Sequence, residues 1–198
     1  GFDEPMSTLD ARDVAGRLGM AFTELDHTEL FRSFVADAFV RDYEAGLTPN
    51  PCMGCNKHIK FGSLLSFALE QGFTHLATGH YARIRQDEKT GRYLLYKAAD
   101  LQKDLFRAGD RGKDQTYFLY SLTQHQLAHT LLPLGELTKD QVREIAQQQG
   151  FINAHRKDSQ DVCFIPGGDY RQFMEQYRGK PYPAGTFLDL EGKPEGQH

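Results

Sequence analysis

The stretch Asn56-Lys-His-Ile-Lys-Phe-Gly-Ser-Leu-Leu-Ser-Phe-Ala-Leu-Glu-Gln-Gly-Phe-Thr-His-Leu-Ala-Thr-Gly-His80 decides the fold of this 198-residue chain. Its first part has apolar residues at helical spacing, and Gly72 is placed to end the helix. The apolar positions are Ile59, Leu64, Phe67 and Ala68. Residues 75–80 predict a short strand that leads into a glycine-containing loop. A helix followed closely by such a strand is typical of a parallel sheet with crossover helices.

The segments before this stretch show the same alternation. We predict a helix capped by Ser7 or Thr8 and ended by Gly19, a strand over residues 20–25, and a longer helix that closes at Gly46. The predicted inner faces are Ala11, Val14, Ala15 and Leu18 in the first helix, and Leu30, Phe31, Phe34, Val35, Ala38 and Phe39 in the second. This order of elements predicts the α/β class, with a parallel sheet flanked by helices.

The second half of the chain alternates less regularly. A strand is predicted over residues 92–97, and residues 117–132 are predicted to be mostly helical, with a break around residues 121–124. Thr138 is placed to cap a helix over residues 139–149 in a capping box.

The sequence texture changes near residue 180, where proline, glycine and short apolar runs take over. We therefore predict an α/β domain over residues 1–180 and the beginning of a middle β-rich domain over residues 181–198, with its first strand at residues 186–190. The chain enters a helix at once and stops soon after a new segment has begun, so we expect it to be a fragment of a longer protein.

Composition favours a cytoplasmic enzyme. The cysteine count of three is odd, no apolar run is long enough to span a bilayer, and the chain does not open with a basic segment followed by an apolar one. The net charge of −4 argues against a protein that holds nucleic acid by bulk electrostatics. An acidic chain can still carry a local basic face, so an RNA substrate is not excluded by charge.

The cysteines carry the clearest functional signal. Cys52 and Cys55 lie in a proline-rich segment that we predict to be a loop, and Cys163 follows far downstream. The pair is compatible with part of a zinc site completed by Cys163 and a histidine, or with a redox pair that precedes a helix. The candidate histidines are His58, His75 and His80. Cys163 is by default a small buried hydrophobic residue, but the polar residues 157–161 before its apolar run predict a strand that ends at a sheet edge, where ligands bind.

Four blocks of sequence are particularly informative. They are Thr48-Pro-Asn-Pro-Cys-Met-Gly-Cys-Asn-Lys-His-Ile-Lys-Phe61, Ala77-Thr-Gly-His-Tyr-Ala-Arg83, Gly112-Lys-Asp-Gln-Thr-Tyr-Phe-Leu119 and Lys157-Asp-Ser-Gln-Asp-Val-Cys-Phe-Ile-Pro166. In order and spacing they resemble the signatures of the tRNA-specific 2-thiouridylases, the MnmA/TrmU family, over nearly the whole chain. The resemblance implies an adenine nucleotide alpha hydrolase-like fold of the ATP-pyrophosphatase type.

The resemblance also implies an activity. An enzyme of this family uses ATP with magnesium to adenylate the C2 oxygen of the wobble uridine in tRNA, and sulfur then replaces that oxygen. Cys163 matches the cysteine that carries sulfur as a persulfide, and Cys55 matches the partner that can close a disulfide with it. A sulfur-relay protein or a cysteine desulfurase is implied as the sulfur donor.

Further residues match the binding positions of the family. Asn50, Pro51 and Cys52 match the target-base contact, Lys113, Asp114 and Gln115 match a tRNA contact, and Gly79 matches a position beside the nucleotide. Plainer roles are open for three of them, since Gly79 can serve a turn and Lys113 and Asp114 can form a solvated turn with a helix cap. His80 is predicted to be a structural hydrogen-bonding histidine.

Two departures from the family pattern matter. The phosphate-binding loop of the Ser-Gly-Gly-x-Asp-Ser type has no counterpart in this sequence, and Cys52 stands where many relatives place an aspartate. With Cys55 and Cys163, Cys52 completes a possible ligand set for a [4Fe–4S] cluster with one open iron, as an alternative to the persulfide. Two other functions remain open, a zinc-stabilised RNA-binding module and an ATP-pyrophosphatase that acts on a small-molecule carbonyl.

Overall fold

The computed structural model describes residues 5–98, 114–151 and 162–197. The chain divides into two compact units, residues 1–158 and residues 159–198. In the described residues, the first unit holds the long helices and a parallel pair of strands, and the second holds a shorter helix and an antiparallel pair. The predicted domain division near residue 180 stays a prediction.

Three helices open the first unit. Helix α1 spans Pro5–Arg17. Helix α2 is continuous over residues 28–44 and consists of Thr28–Phe31, the π-helical segment Arg32–Ala36 and Asp37–Glu44. Helix α3 is continuous over residues 51–70 and consists of Pro51–Gly54, the π-helical segment Cys55–Leu64 and Leu65–Glu70. The glycines predicted to end these helices, Gly19, Gly46 and Gly72, all have positive φ angles, which confirms their role as helix stops.

The strands of the first unit form two pairs. Strand β1 is Leu76–Ala77, β2 is Ala82–Gln86, β3 is Tyr93–Lys97 and β4 is Thr130–Leu131. Strands β1 and β4 are parallel, and β2 and β3 are antiparallel. The parallel pair with its flanking helices confirms the predicted fold class, and β3 confirms the strand predicted at residues 92–97.

Short helical segments surround these strands. A 3₁₀ turn spans Thr116–Leu119, helix α4 spans Gln124–Ala128 and helix α5 spans Lys139–Gln148. The break predicted around residues 121–124 is confirmed, since Thr123 begins α4 with a capping box. Thr138 forms the predicted capping box with Gln141 at the start of α5.

Two secondary-structure predictions were wrong in the first unit, one of a strand and one of the end of a helix. Residues 20–25 are irregular, because none of the strand pairs among the described residues offers them a backbone partner. Residues 130–131, predicted as the end of a helix, form β4 because their backbone pairs with β1. Pairing with a distant segment is a tertiary effect that local propensity does not report.

The buried core of the first unit lies where α3 meets the strands. Phe61, Ala82 and Leu119 are buried together, with leucines of β1 and β3 packed against them. Helix α2 contributes a second set of buried residues: Val35, Ala36, Phe39 and Val40. Phe34 and Leu18, predicted to face inward, are 42% and 50% exposed. For Phe34 the reason is the π-helical segment, whose wider turn changes which residues share a face, and Leu18 lies just beyond the end of α1.

A close backbone approach holds β2 against the segment that follows β4. A Cβ atom on Gly135 would overlap the carbonyl group of Ala82 and approach the Cγ atom of Arg83 to 2.7 Å. On the solvent side, Arg83 and Arg85 both reach the carboxylate of Glu136, at 3.5 and 3.3 Å. Only a glycine fits at position 135, so this residue sets the distance between the two segments.

The second unit has its own small framework. A 3₁₀ turn spans Pro166–Gly168, helix α6 spans Tyr170–Arg178, and β5 (Thr186–Leu188) pairs in antiparallel fashion with β6 (Pro194–Gln197). Asp169 caps α6 by accepting a hydrogen bond from the backbone N–H of Gln172 at 2.9 Å. Strand β5 confirms the predicted strand, although it ends two residues earlier than predicted.

We predict that Gly135→Ala lowers the free energy of unfolding by about 2 kcal/mol or more, because overpacking forces backbone to move. Chemical denaturation of the wild-type and variant chains measures the change. Gly16→Ala is the matched control, since Gly16 lies in α1 with open space around it, and it should be neutral or slightly stabilising. Equal stability of the Gly135→Ala variant and the wild type would contradict the close approach.

Candidate active site

The Cys52 and Cys55 segment is a helical turn and not the loop predicted from sequence. Pro51 occupies the first position of α3, where the missing N–H of proline is not needed and its fixed φ angle suits a helix. Cys52 is exposed and Cys55 is half-buried, and neither forms a disulfide. Residues three apart are neighbours on a helix surface, so the two thiols share one side of the first turns of α3.

Helix α2 packs closely against this turn through Phe34. A Cβ atom on Gly54 would lie 2.7 Å from the backbone oxygen of Phe34. The ring of Phe34 is stacked on the imidazole of His58, with 4.2 Å between the ring centroids and 12° between the planes. One residue of α2 therefore contacts α3 on both sides of Cys55.

The residue after Cys55 is tied to the 3₁₀ turn at residues 116–119. Asn56 is only 2% exposed, and its Nδ2 donates a long hydrogen bond of 3.4 Å to the backbone oxygen of Phe118. Its Oδ1 has no hydrogen-bond partner within the described part of the chain. Such a buried acceptor costs about 1–3 kcal/mol, so Asn56 is held here at an energetic disadvantage.

The predicted tRNA-contact block lies next to this turn. The Oδ1 of Asp114 accepts hydrogen bonds from the hydroxyl of Thr116 at 2.6 Å and from the N–H of Ala98 at 3.1 Å. The side-chain oxygen of Gln115 accepts from the N–H of Tyr81, and the N–H of Gln115 donates to the oxygen of Tyr81. Both residues thus organise the turn internally, and Lys113 lies outside the described residues.

Gly79 follows the carboxyl end of β1 and is exposed. Its φ angle is not in the left-handed region, and an added Cβ would make only an ordinary contact of 3.6 Å with the side chain of Leu134. Neither the turn nor the packing therefore requires a glycine at this position. An exposed backbone at the end of a parallel strand is where ligands bind in open α/β sheets.

His80 lies beside this strand end in a buried environment. Its Nδ1 is 2.9 Å from the hydroxyl of Thr78, and its ring centroid is 5.8 Å from that of Phe61. Burial of the imidazole, with a smaller effect of the positive charge of Lys60, lowers the pKa of His80 from 6.5 to about 4. The histidine is therefore neutral at pH 7, in keeping with the structural role predicted for it.

Cys163 belongs to the second unit. It is exposed and lies in a turn, not in the predicted strand: the N–H of Ile165 donates to the oxygen of Val162 at 3.0 Å, and Pro166 follows. Proline has no backbone N–H to donate to a neighbouring strand, so it does not favour a strand here. The apolar run packs through Ile165, which is buried, and through Phe164, whose ring lies 5.3 Å from that of Phe173. Residues 157–161, which include the charged approach to Cys163, lie outside the described residues.

Over residues 5–98, 114–151 and 162–197, no group of three or more His, Cys, Asp or Glu side chains is arranged to hold a metal ion. In the same ranges, every helix is too short or too polar to cross a membrane.

The model of the tRNA methyl transferase HUP domain family matches residues 4–167 of the chain. The chain belongs to this family. The HUP domain is nucleotide alpha hydrolase-like, which agrees with the predicted fold and with the parallel β1–β4 pair.

Several curated relatives carry the same name. The tRNA-specific 2-thiouridylase MnmA of Carboxydothermus hydrogenoformans is 47% identical over 189 residues, which cover 96% of this chain and 49% of the relative. The proteins of that name from Clostridioides difficile and Treponema denticola are each 45% identical, and the alignments cover 96% of this chain and 50% of each relative. The chain spans about half the length of these relatives. The resemblance inferred from the four sequence blocks is confirmed.

Sequence reasoning missed two features of the HUP-domain site. Gly54 and Asn56 lie beside Cys55 in the first of the four sequence blocks, but the sequence alone did not indicate a role for either. Both residue types could have been noticed in the sequence. A glycine early in a helix can indicate that another backbone approaches closely. An asparagine among the inward-facing positions of a helix indicates a buried hydrogen bond. What the sequence does not reveal is the partner in each case, Phe34 and Phe118.

We predict that His80 makes the stability of the chain depend on pH between 6.5 and 4. Because the folded pKa is below the unfolded value, the unfolded state takes up a proton first, and stability falls as the pH drops through this range. One titrating group can change the free energy of unfolding by at most about 1.4 kcal/mol per pH unit. We expect roughly half of that slope for His80, because its ring lies at the edge of the core. Denaturation at several pH values measures it.

His80→Gln removes the titrating ring, so its stability should fall less steeply over the same pH range. His75→Gln is the control, since His75 is exposed and its replacement should leave the slope unchanged. Parallel slopes for the wild type and the His80→Gln variant would refute the assignment.

Proposed function

We propose that the chain is the catalytic α/β part of a cytoplasmic tRNA-uridine 2-sulfurtransferase, which uses ATP to replace the C2 oxygen of the wobble uridine with sulfur. The observation that carries the proposal is the half-buried Cys55 in the first turns of α3, three residues after Cys52, in a HUP-domain chain. Support also comes from the relatives named tRNA-specific 2-thiouridylase MnmA.

The beginning of α3 is a suitable place for a nucleophilic sulfur. A thiolate is the reactive form of cysteine. Cys55 is half-buried, so a thiolate there is partly shielded from water, whereas Cys52 is exposed to an incoming substrate. In this proposal Asn50, Pro51 and Cys52 contact the target base, and Cys55 acts in the chemistry.

The proposed reaction begins with adenylation and ends with sulfur transfer. The uridine C2 oxygen attacks the α-phosphate of ATP and pyrophosphate leaves, so the oxygen becomes part of an AMP leaving group. The terminal sulfur of a persulfide on Cys163 adds to C2, and AMP departs. The Cys55 thiolate then attacks the sulfur of Cys163, which leaves 2-thiouridine and a Cys55–Cys163 disulfide. A thiol reductant restores the two cysteines, and a sulfur-donor protein reloads Cys163.

Substrate contacts are proposed for two further places. ATP, with its magnesium, lies beside Gly79, where the exposed backbone allows close approach at the carboxyl end of β1. Lys113, Asp114 and Gln115 contact tRNA. The internal hydrogen bonds of Asp114 and Gln115 hold the shape of that turn, so contact with tRNA comes from a preformed surface.

An iron–sulfur cluster is the alternative use of the same cysteines. Cys52 and Cys55 are spaced to serve as two ligands, Cys163 would be the third, and the iron left open could hold sulfide. The persulfide route needs only Cys55 and Cys163 as reacting sulfurs, and it is the form we propose. No observation favours a zinc-stabilised RNA-binding module or a carbonyl-activating ATP-pyrophosphatase.

We predict that Cys55→Ser and Cys163→Ser in the full-length protein each reduce tRNA thiolation by at least about a hundredfold, because each removes a reacting sulfur. Cys52→Ser should reduce it by about tenfold or less, because only a substrate contact is changed. Single-turnover assays with ATP, a sulfur donor and tRNA measure the effects.

Anaerobic purification with iron and sulfide quantification separates the alternatives. A cluster would appear as stoichiometric iron, and all three substitutions would then be equally severe. Wild-type protein that leaves tRNA unmodified, while it binds stoichiometric zinc or adenylates a small metabolite, would overturn the sulfurtransferase proposal.

A further inference from the structure

We propose that Gly54 and Asn56 are positioning residues for Cys55, which hold the thiol from its two neighbouring positions in the chain. This inference rests on the proposed function, since it assumes that Cys55 acts in sulfur transfer. Neither residue is assigned contact with substrate. Their effect is exerted through the helix backbone on either side of the cysteine.

Gly54 fixes how closely α3 lies against α2. The Cβ atom of any other residue would meet the backbone oxygen of Phe34 at 2.7 Å, a distance that side chains do not tolerate. The obstacle is backbone and cannot rotate away as a flexible side chain would. A larger residue at position 54 must therefore move the first turns of α3, and Cys55 is the next residue.

The stacked rings of Phe34 and His58 fix the rotation of α3 about its axis. Gly54 and His58 are four residues apart, so both lie on the side of α3 that faces Phe34. The backbone of Phe34 contacts the first of them, and its ring lies 4.2 Å from the ring of the second. Two contacts along one side prevent rotation of α3 about its axis. They therefore also fix the direction in which the side chain of Cys55 leaves the helix.

Asn56 holds α3 from another direction. Its amide is buried and donates to the oxygen of Phe118, in the turn that follows Asp114 and Gln115. The bond is long at 3.4 Å, and Oδ1 is without a partner among the described residues. An apolar residue of similar size would avoid that cost, so stability alone does not explain the amide. A role in setting the position of the neighbouring Cys55 does.

Sulfur transfer is sensitive to such positioning. The attacking and receiving sulfurs must be aligned within a few tenths of an ångström of a reactive geometry, and a displacement of about 1 Å can cost about a hundredfold in rate. Substrate binding depends much less on it, because the proposed ATP and tRNA contacts at Gly79 and at residues 113–115 do not involve Cys55. Positioning residues therefore affect kcat far more than KM.

The test uses full-length protein with ATP, a sulfur donor and tRNA, and measures kcat and KM for tRNA together with the thermal midpoint. Gly54→Ala should lower kcat by about tenfold or more and change KM by less than about threefold. Gly16→Ala is the matched control: Gly16 is also helical but has open space around it, and its variant should keep wild-type kinetics.

Asn56→Leu supplies a second variant in case Gly54→Ala fails to fold. Leucine has a similar volume and removes the unpartnered oxygen, so the thermal midpoint should stay within about 3 °C of the wild type. The expected result is a stable protein whose kcat is reduced by about tenfold. A purely structural amide would give the reverse, with lost stability and unchanged kcat per folded molecule.

The outcomes also separate this inference from the proposed function. If Cys55→Ser abolishes thiolation while Gly54→Ala and Asn56→Leu stay within about twofold of wild type in kcat, the positioning inference is wrong and the function stands. If Cys55→Ser retains thiolation, the role of Cys55 itself is wrong, and the positioning inference falls with it.

Discussion

The contact between the backbone of Phe34 and Gly54 is the constraint on which the candidate site depends. It brings α2 and α3 together where only a hydrogen atom fits between them. Because both elements are continuous helices, the contact fixes the position of one helix relative to the other, and no flexible loop is involved. Cys55 follows Gly54 directly, so the position of the candidate nucleophile is a consequence of how two helices pack.

The turn at residues 114–119 connects the two sides of the candidate site. Gln115 exchanges hydrogen bonds with Tyr81, just after the carboxyl end of β1, and Phe118 accepts from Asn56 beside Cys55. One short segment therefore touches both the proposed nucleotide side and the cysteine side. Hydrogen bonds of this kind keep the spacing between a bound substrate and a reacting group constant.

Local chemistry explains why several predictions from sequence were right. Gly46 and Gly72 end their helices because the backbone there is left-handed, and Thr138 begins α5 because its hydroxyl satisfies an otherwise unpaired N–H. Predictions failed where distant contacts decide the outcome. Residues 130–131 were predicted as the end of a helix, yet they form β4 by pairing with β1, and Phe34 was predicted as core, yet it stacks on His58 at the surface.

The sequence by itself determined the α/β class, the helix stops and caps, the cysteine pattern and the family, because each of these depends on residues close together in the chain or on a linear match. Tertiary structure alone decided that Cys55 lies in a helix held at Gly54 and Asn56. The partners in those contacts lie far away in the chain: Phe34 is 20 residues from Gly54, and Phe118 is 62 residues from Asn56. Packing and burial decide which distant residue meets each of them, and no local sequence pattern encodes those pairings.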